Sequence, residues 1–274
     1  MSTTTTSLVV LAFVFGGALV GIFLRRVLPQ QHLSDASKDI VRVGIGMVVT
    51  ITALVLSLLI ASAKAYYDAQ SNELTEMSAK IVLLDRVLAH YGPETKEARD
   101  ALHVDVALAL DQMWSKNPSP LERSSPANEA LFDKIQELAP RSDAQRSLQA
   151  QALNITLALG QTRWLMYEQS SAAVSKPLLL VLVLWLTIIF VSFGLFAPTN
   201  LTVVTTLLIS ALAVSGAVLL ILEMYTPFTG LIQISSAPLR AALTLRVAFS
   251  SVAYVPFGGN YQNYERPGRL GRPK

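Results

Sequence analysis

The residues whose types and spacing could do chemistry lie together near the C-terminus: Glu223, Pro227, Phe228 and Gly230, within ILEMYTPFTGLIQIS. Glu223 follows directly on an uncharged apolar run, and Pro227 cannot continue a helix because it has no N–H to donate. The chain must therefore bend after Glu223 and lie along a membrane interface or turn back into protein. Two roles fit the acid. It is either a helix end at the level of lipid headgroups, or, if several copies form a ring, a carboxylate repeated at a pore mouth. Such a ring would favour cations and repel anions.

No other constellation points to catalysis. His32, His90 and His103 each lack a second histidine three or four residues away, as a metal-binding helix would require, and read as surface residues. With no cysteine in the chain, thiolate chemistry, disulfides and cysteine metal sites are excluded. There is no G-x-S-x-G and no phosphate loop, and Gly44-Ile45-Gly46 sits in an apolar run without the third glycine of a dinucleotide fingerprint. Nor is a charge buried mid-membrane, as proton relays need. The expectation is a protein that is not an enzyme and has no cofactor and no metal.

The elements that position Glu223 are set by hydropathy. Residues 8–24, 43–63, 177–197 and 201–222 contain no Asp, Glu, Lys or Arg. Each is about long enough, at ~1.5 Å per residue, to cross a hydrocarbon core of roughly 30 Å. At 52% hydrophobic and 15% charged, the composition agrees. The fold expected is an all-α integral membrane protein, with four transmembrane helices in two hairpins flanking a helical soluble insert. Its parts are a first hairpin at 8–63, the insert at 64–176, a second hairpin with an interfacial segment at 177–243, and a basic disordered tail at 244–274. MSTTTTS has no basic residue and the first run ends in Arg25-Arg26, so this segment is a retained helix rather than a cleaved signal.

Inside the runs, small residues permit close helix approach: Gly17 and Gly21 in the first helix, Gly44 and Gly46 in the second, and Ser210, Ala211, Ser215 and Gly216 in the fourth. They could serve packing within one subunit or between subunits.

The insert reads as helix throughout. Tyr67, Leu74, Met77, Ile81, Leu84, Leu88 and Tyr91 step by three, four and seven with no breaker after the second membrane run, so residues from about 41 to 91 form one rod of roughly 75 Å. Gly92-Pro93 ends it. Leu102, Val106, Ala109 and Met113 mark the next helix, and residues 117–124 form a loop tip. A short helix from Ser125-Pro126 carries Leu131, Ile135 and Leu138, and Ser142 with Gln145 is a capping-box signature. Leu148, Ala152, Ile155, Leu159, Thr162 and Met166 then give a second seam, making an antiparallel helical hairpin. Residues 64–176 hold 12 basic against 15 acidic side chains, which excludes a nucleic-acid surface.

Three blocks of the sequence closely resemble the bacterial bestrophin-like membrane proteins: LPQQHLSDASKDIVRVGIGMVVTITALVLSLLIASAKAYYDAQ, VLLDRVLAHYGPETKEAR and ILEMYTPFTGLIQISSAPLRAAL. The resemblance spans residues from about 8 to 243. Glu223 with Pro227-Phe228 is similar to the acid followed by proline and phenylalanine in bestrophin channels. The resemblance implies an oligomeric ion channel of the bacterial inner membrane, with both termini and the insert facing the cytoplasm. A run of acids soon after the proline and phenylalanine forms the bestrophin calcium clasp, and here the chain reads Thr229-Gly230-Leu231-Ile232-Gln233 instead, so no calcium site is implied.

Charge alone divides the sides almost evenly. Arg25, Arg26, Lys38 and Arg42 stand against Lys64, Lys80, Arg163, Lys176 and Arg240, and the N-terminal pair taken alone favours an outside N-terminus. The partners expected are the lipid bilayer, further copies of the chain and, in the alternative reading of a non-conducting scaffold, a protein bound at the insert. The tail, ending NYQNYERPGRLGRPK, is suited to touch anionic lipid.

Overall fold

The structure, a computed structural model, describes residues 2–29, 35–114, 126–171, 176–198 and 200–252. Their regular elements are all helical: α1 (Thr3–Val27), α2 (Asp35–Tyr91), α3 (Lys96–Trp114), α4 (Pro126–Gln136), α5 (Asp143–Ser171), α6 (Lys176–Phe196), α7 (Leu201–Met224) and α8 (Ala237–Val252). The loop tip at 117–124, His32, Ser125 and residues 253–274 of the expected tail lie outside the described residues. α8 runs past position 244, where the tail is expected to start; within it Leu239 is buried in the insert core and Ala242 and Leu243 pack against it.

Among the described residues, four helices are long and apolar enough to cross a membrane: α1, the first part of α2, α6 and α7. Among the described residues, the main contacts of this bundle join the two ends of the chain. α1 lies on α6 and α7, and α2 meets the same two helices. Glycines make the first contact possible. A Cβ on Gly17 would stand 3.0 Å from Thr187 Cγ2, and one on Gly21 would overlap the Val191 carbonyl. From the other helix, Gly194 meets the Ala18 carbonyl in the same way. Backbones in van der Waals contact maximise dispersion where lipid leaves no hydrophobic driving force. Gly44 and Gly46 differ, since a Cβ on either would meet nothing within 4 Å.

α2 is one helix of 57 residues that passes from the membrane into the insert without a break. It holds no proline or glycine after Gly46 until Gly92, whose φ of +137° lies in a region that side chains avoid. A 3-10 turn at Pro93–Thr95 follows, with Thr95 Oγ1 donating to Leu88 O at 2.7 Å. The seam residues Leu74, Met77, Ile81, Leu84 and Leu88 are buried against Leu102, Val106 and Met113 of α3 and Ala152, Ile155, Leu159 and Met166 of α5. Each large aliphatic side chain so buried contributes about 1.5–3 kcal/mol.

At the start of α5, Gln145 N donates to Ser142 Oγ at 3.2 Å. The reciprocal half of the cap is shifted by one residue, with Arg141 N donating to Gln145 Oε1 at 2.8 Å.

Polar groups pin the insert's register. Gln70 Nε2 donates to Gln169 Oε1 at 2.8 Å, and Gln169 Nε2 to Glu73 Oε1 at 2.7 Å, joining α2 to α5. Arg163 of α5 holds Asp105 of α3 with two parallel bonds of 3.1 and 2.9 Å. Arg99 of α3 grips Asp85 of α2 in the same forked way, at 2.8 and 2.9 Å.

Candidate functional site

Glu223 terminates α7 inside the protein. Its side chain is almost wholly buried, at 1% exposure, and its carboxylate faces its own chain. Oε1 accepts from the Thr3 hydroxyl in the first turn of α1, and Oε2 accepts from Leu231 N at 2.5 Å. An ionised or hydrogen-bonded carboxylate in such a place needs these donors, since an unpaired one would carry the full cost of desolvation.

The residues after Glu223 build the lid over it. Pro227 stops the helix, and Ile234 N closes the loop onto Pro227 O at 2.8 Å. Gly230 takes φ +127°, and its missing side chain is the space that Glu223 Oε2 fills. Phe228 points to the insert, where its ring meets Trp114 edge-on with centroids 5.3 Å apart. Trp114 Nε1 also donates to Ile234 O at 3.0 Å. All four residues singled out by the sequence thus belong to one loop, in which Glu223 and Gly230 touch while Phe228 anchors the loop to α3.

The same node joins distant parts of the chain. Thr3 brings the start of α1 to it, and Trp114 brings the end of α3, so the N-terminus and the insert share one end of the membrane bundle. Farther into the membrane, Ser7 Oγ donates to Ser215 O or Oγ, and Ser215 Oγ reaches Ser7 O at 2.7 Å, all of them buried between α1 and α7. Thr3, Ser7 and Trp114 carry no local motif that would single them out, and Ser215 stands out in the sequence only as a small residue. Gly194 could have been found, because a glycine in an otherwise bulky run is the usual sign of close helix approach.

The helix-packing glycines divide into two sets. Gly17 and Gly21 are used within the protomer, against α6. Gly44 and Gly46 face open space on a segment of α2 with little cover from the rest of the chain. Of the histidines, His90 is exposed and contacts Arg86 O at 2.8 Å, while His103 is half-buried beside Leu102 and Ala242.

None of the curated proteins matches the sequence. In fold, the chain is similar to the crystal structure of a mutant bacterial bestrophin homolog from Klebsiella pneumoniae, with a TM-score of 0.61 and 16% identity over 89% of this chain and 98% of that one. In sequence, the family model for the bestrophin-like domain matches residues 11–239, from within α1 through the Glu223 loop to the start of α8. With that span matched, the chain belongs to the bestrophin-like family, as an integral membrane protein.

Proposed function

We propose that several copies of this chain assemble around α2 into an ion-conducting pore. The observation that supports it is the division of α2's uncovered face into two sectors. Thr50, Ala53, Ser57 and Ala61 form a stripe of small and hydroxyl-bearing side chains, whereas Met47, Ile51, Leu54 and Leu58 form a bulky apolar one beside it. Contact with lipid alone would favour bulk on both.

The hydroxyl protons are held inside the helix, with Thr50 Oγ1 donating to Gly46 O at 2.9 Å and Ser57 Oγ to Ala53 O at 2.8 Å. Oxygen lone pairs remain to face a column of water or ions. One such stripe per copy, repeated about an axis, would line a pore in the way channel walls use small and polar groups. In this reading the hairpins at 8–63 and 177–243 flank the insert at 64–176. The insert and both termini face the cytoplasm at a bacterial inner membrane, and Glu223 positions α1 and the loop rather than filtering ions.

The test uses single cysteines in this cysteine-free chain. Modification by an impermeant charged thiosulfonate should block planar-bilayer currents for Thr50→Cys, Ala53→Cys and Ser57→Cys, and leave Leu54→Cys and Leu58→Cys untouched. Purified protein that carries no current across voltages and lipids rejects the pore.

A non-conducting scaffold is the second reading, and one feature favours it. Leu157, Trp164 and Leu165 of α5 are exposed beside Phe132, lining a groove of about 820 Å³ in the insert, the kind of apolar surface that marks a binding site when it lies outside a bilayer.

A further inference from the structure

A groove of about 450 Å³ runs between α2 and the α6–α7 pair, at the end of the bundle opposite the insert. Its walls are Ile45, Val49, Phe193, Phe196 and Leu207, and Gly46 leaves it open because no side chain projects there. All five wall residues belong to helices long and apolar enough to span a membrane, so lipid acyl chains have access to the groove wherever another copy does not cover it.

The mouth of this groove is basic. Arg42 lies on its rim, one turn before the start of the apolar wall. Arg25, from the end of α1, donates through Nη1 to the carbonyl of Ala197, which also lines the groove. The acid beside Arg42 is Asp39, at 3.6 Å, with both side chains more than 70% exposed, a pairing weak in water. Among the described residues, two guanidinium groups stand at the rim against one loosely held carboxylate, a positive balance.

We infer that this groove binds an anionic phospholipid, with an acyl chain against Ile45, Val49 and Phe193 and the headgroup phosphate on Arg42 and Arg25. Charge selects the headgroup. A guanidinium offers a phosphate paired N–H donors, here at the depth where the apolar wall ends. Gly46 serves the site by what it lacks, since any larger residue would fill the channel meant for the chain. The inference does not depend on whether the protein conducts.

The test is thermal melting of the purified full-length protein in detergent with added dioleoylphosphatidylglycerol, dioleoylphosphatidylcholine or inorganic phosphate. Phosphatidylglycerol should raise the melting temperature at concentrations where the other two do not. Arg42→Gln should need about ten-fold more of it for the same rise, the loss expected for one charge-assisted contact. Arg42→Lys should keep the preference for phosphatidylglycerol. Gly46→Leu should melt close to the wild type without lipid, because a Cβ there meets nothing within 4 Å and the rest of the side chain enters the open groove, yet gain nothing from added lipid.

Equal stabilisation by both lipids would overturn the inference, as would an equal effect of free phosphate, which would mean that no chain is bound. A wild-type response in Arg42→Gln or in Gly46→Leu would also overturn it. So would efficient disulfide formation between copies of Val49→Cys, because the groove would then be filled by a second copy of the chain.

Discussion

Gly230 is folded over the Glu223 carboxylate so closely that a methyl group on it would occupy the place of Oε2. Its φ of +127° adds a second reason for glycine, since side chains are strained there. Gly230→Ala should therefore lower stability by about 1–3 kcal/mol, read as a fall in melting temperature in detergent. Gly16→Ala is the control, because a Cβ at Gly16 meets nothing within 4 Å. Equal melting of the two variants would mean that the loop does not close on the acid.

The carboxylate itself should matter for folding more than for ion choice. Glu223→Gln turns one acceptor oxygen into an NH2 group facing either the Thr3 hydroxyl or Leu231 N, so one of the two bonds is lost or reversed. Hydrogen bonds to a charged group contribute about 1.5–3 kcal/mol, and the melting temperature should fall accordingly. The reversal potential under a salt gradient should stay where the wild type has it. A shifted reversal potential with unchanged melting would instead make Glu223 a selectivity residue at a pore mouth.

How much of this could be read beforehand depends on whether a contact leaves a local trace. The four membrane helices and the insert seams were legible because burial imposes a period of three and four on Leu84, Leu102 or Leu159, and lipid imposes long uncharged runs. The turn at Gly92-Pro93 was legible from residue type alone. The loop around Pro227 was legible as a break, but not what it encloses: Glu223 meets Thr3 across 220 positions, and no spacing rule reaches that far. Asp105 with Arg163 and Phe228 with Trp114 were hidden for the same reason. Gly44 and Gly21 looked alike in the sequence, and only the placement of α6 separates them.

That separation is itself testable. Gly21→Leu forces the backbones of α1 and α6 apart, and the protein should lose stability by several degrees in melting temperature or fail to fold. Gly44→Leu should cost the protomer little, since its surroundings are open. If both variants are equally damaging, Gly44 is covered by another copy of the chain, and cross-linking at that position should then capture the pair.

The buried ion pair between α3 and α5 should be the most sensitive polar contact of the insert. Asp105 and Arg163 side chains are only 7% and 13% exposed. Asp105→Asn leaves the guanidinium without its countercharge, at a cost of about 3–5 kcal/mol. Replacing both residues together by Leu and Met should recover much of that loss, because well-packed apolar side chains commonly match or exceed a buried pair. Asp85→Asn should be milder, since Asp85 and Arg99 retain about a fifth of their exposure. Chymotrypsin resistance and melting of the purified variants rank the three.

Both chain contacts of the Glu223 loop lie at one end of the bundle, so we expect the start of α1 and the insert on the same side of a membrane. Single cysteines at Thr4 and Glu137, both exposed, report this directly in a chain that has no other thiol. With the cytoplasmic orientation, an impermeant maleimide should label neither residue in intact cells and both after permeabilisation. Labelling of both in intact cells would reverse the orientation while keeping the bundle. Labelling of only one would separate Thr3 from Trp114 by a membrane, and the two could not then both meet the loop that Glu223, Phe228 and Gly230 form.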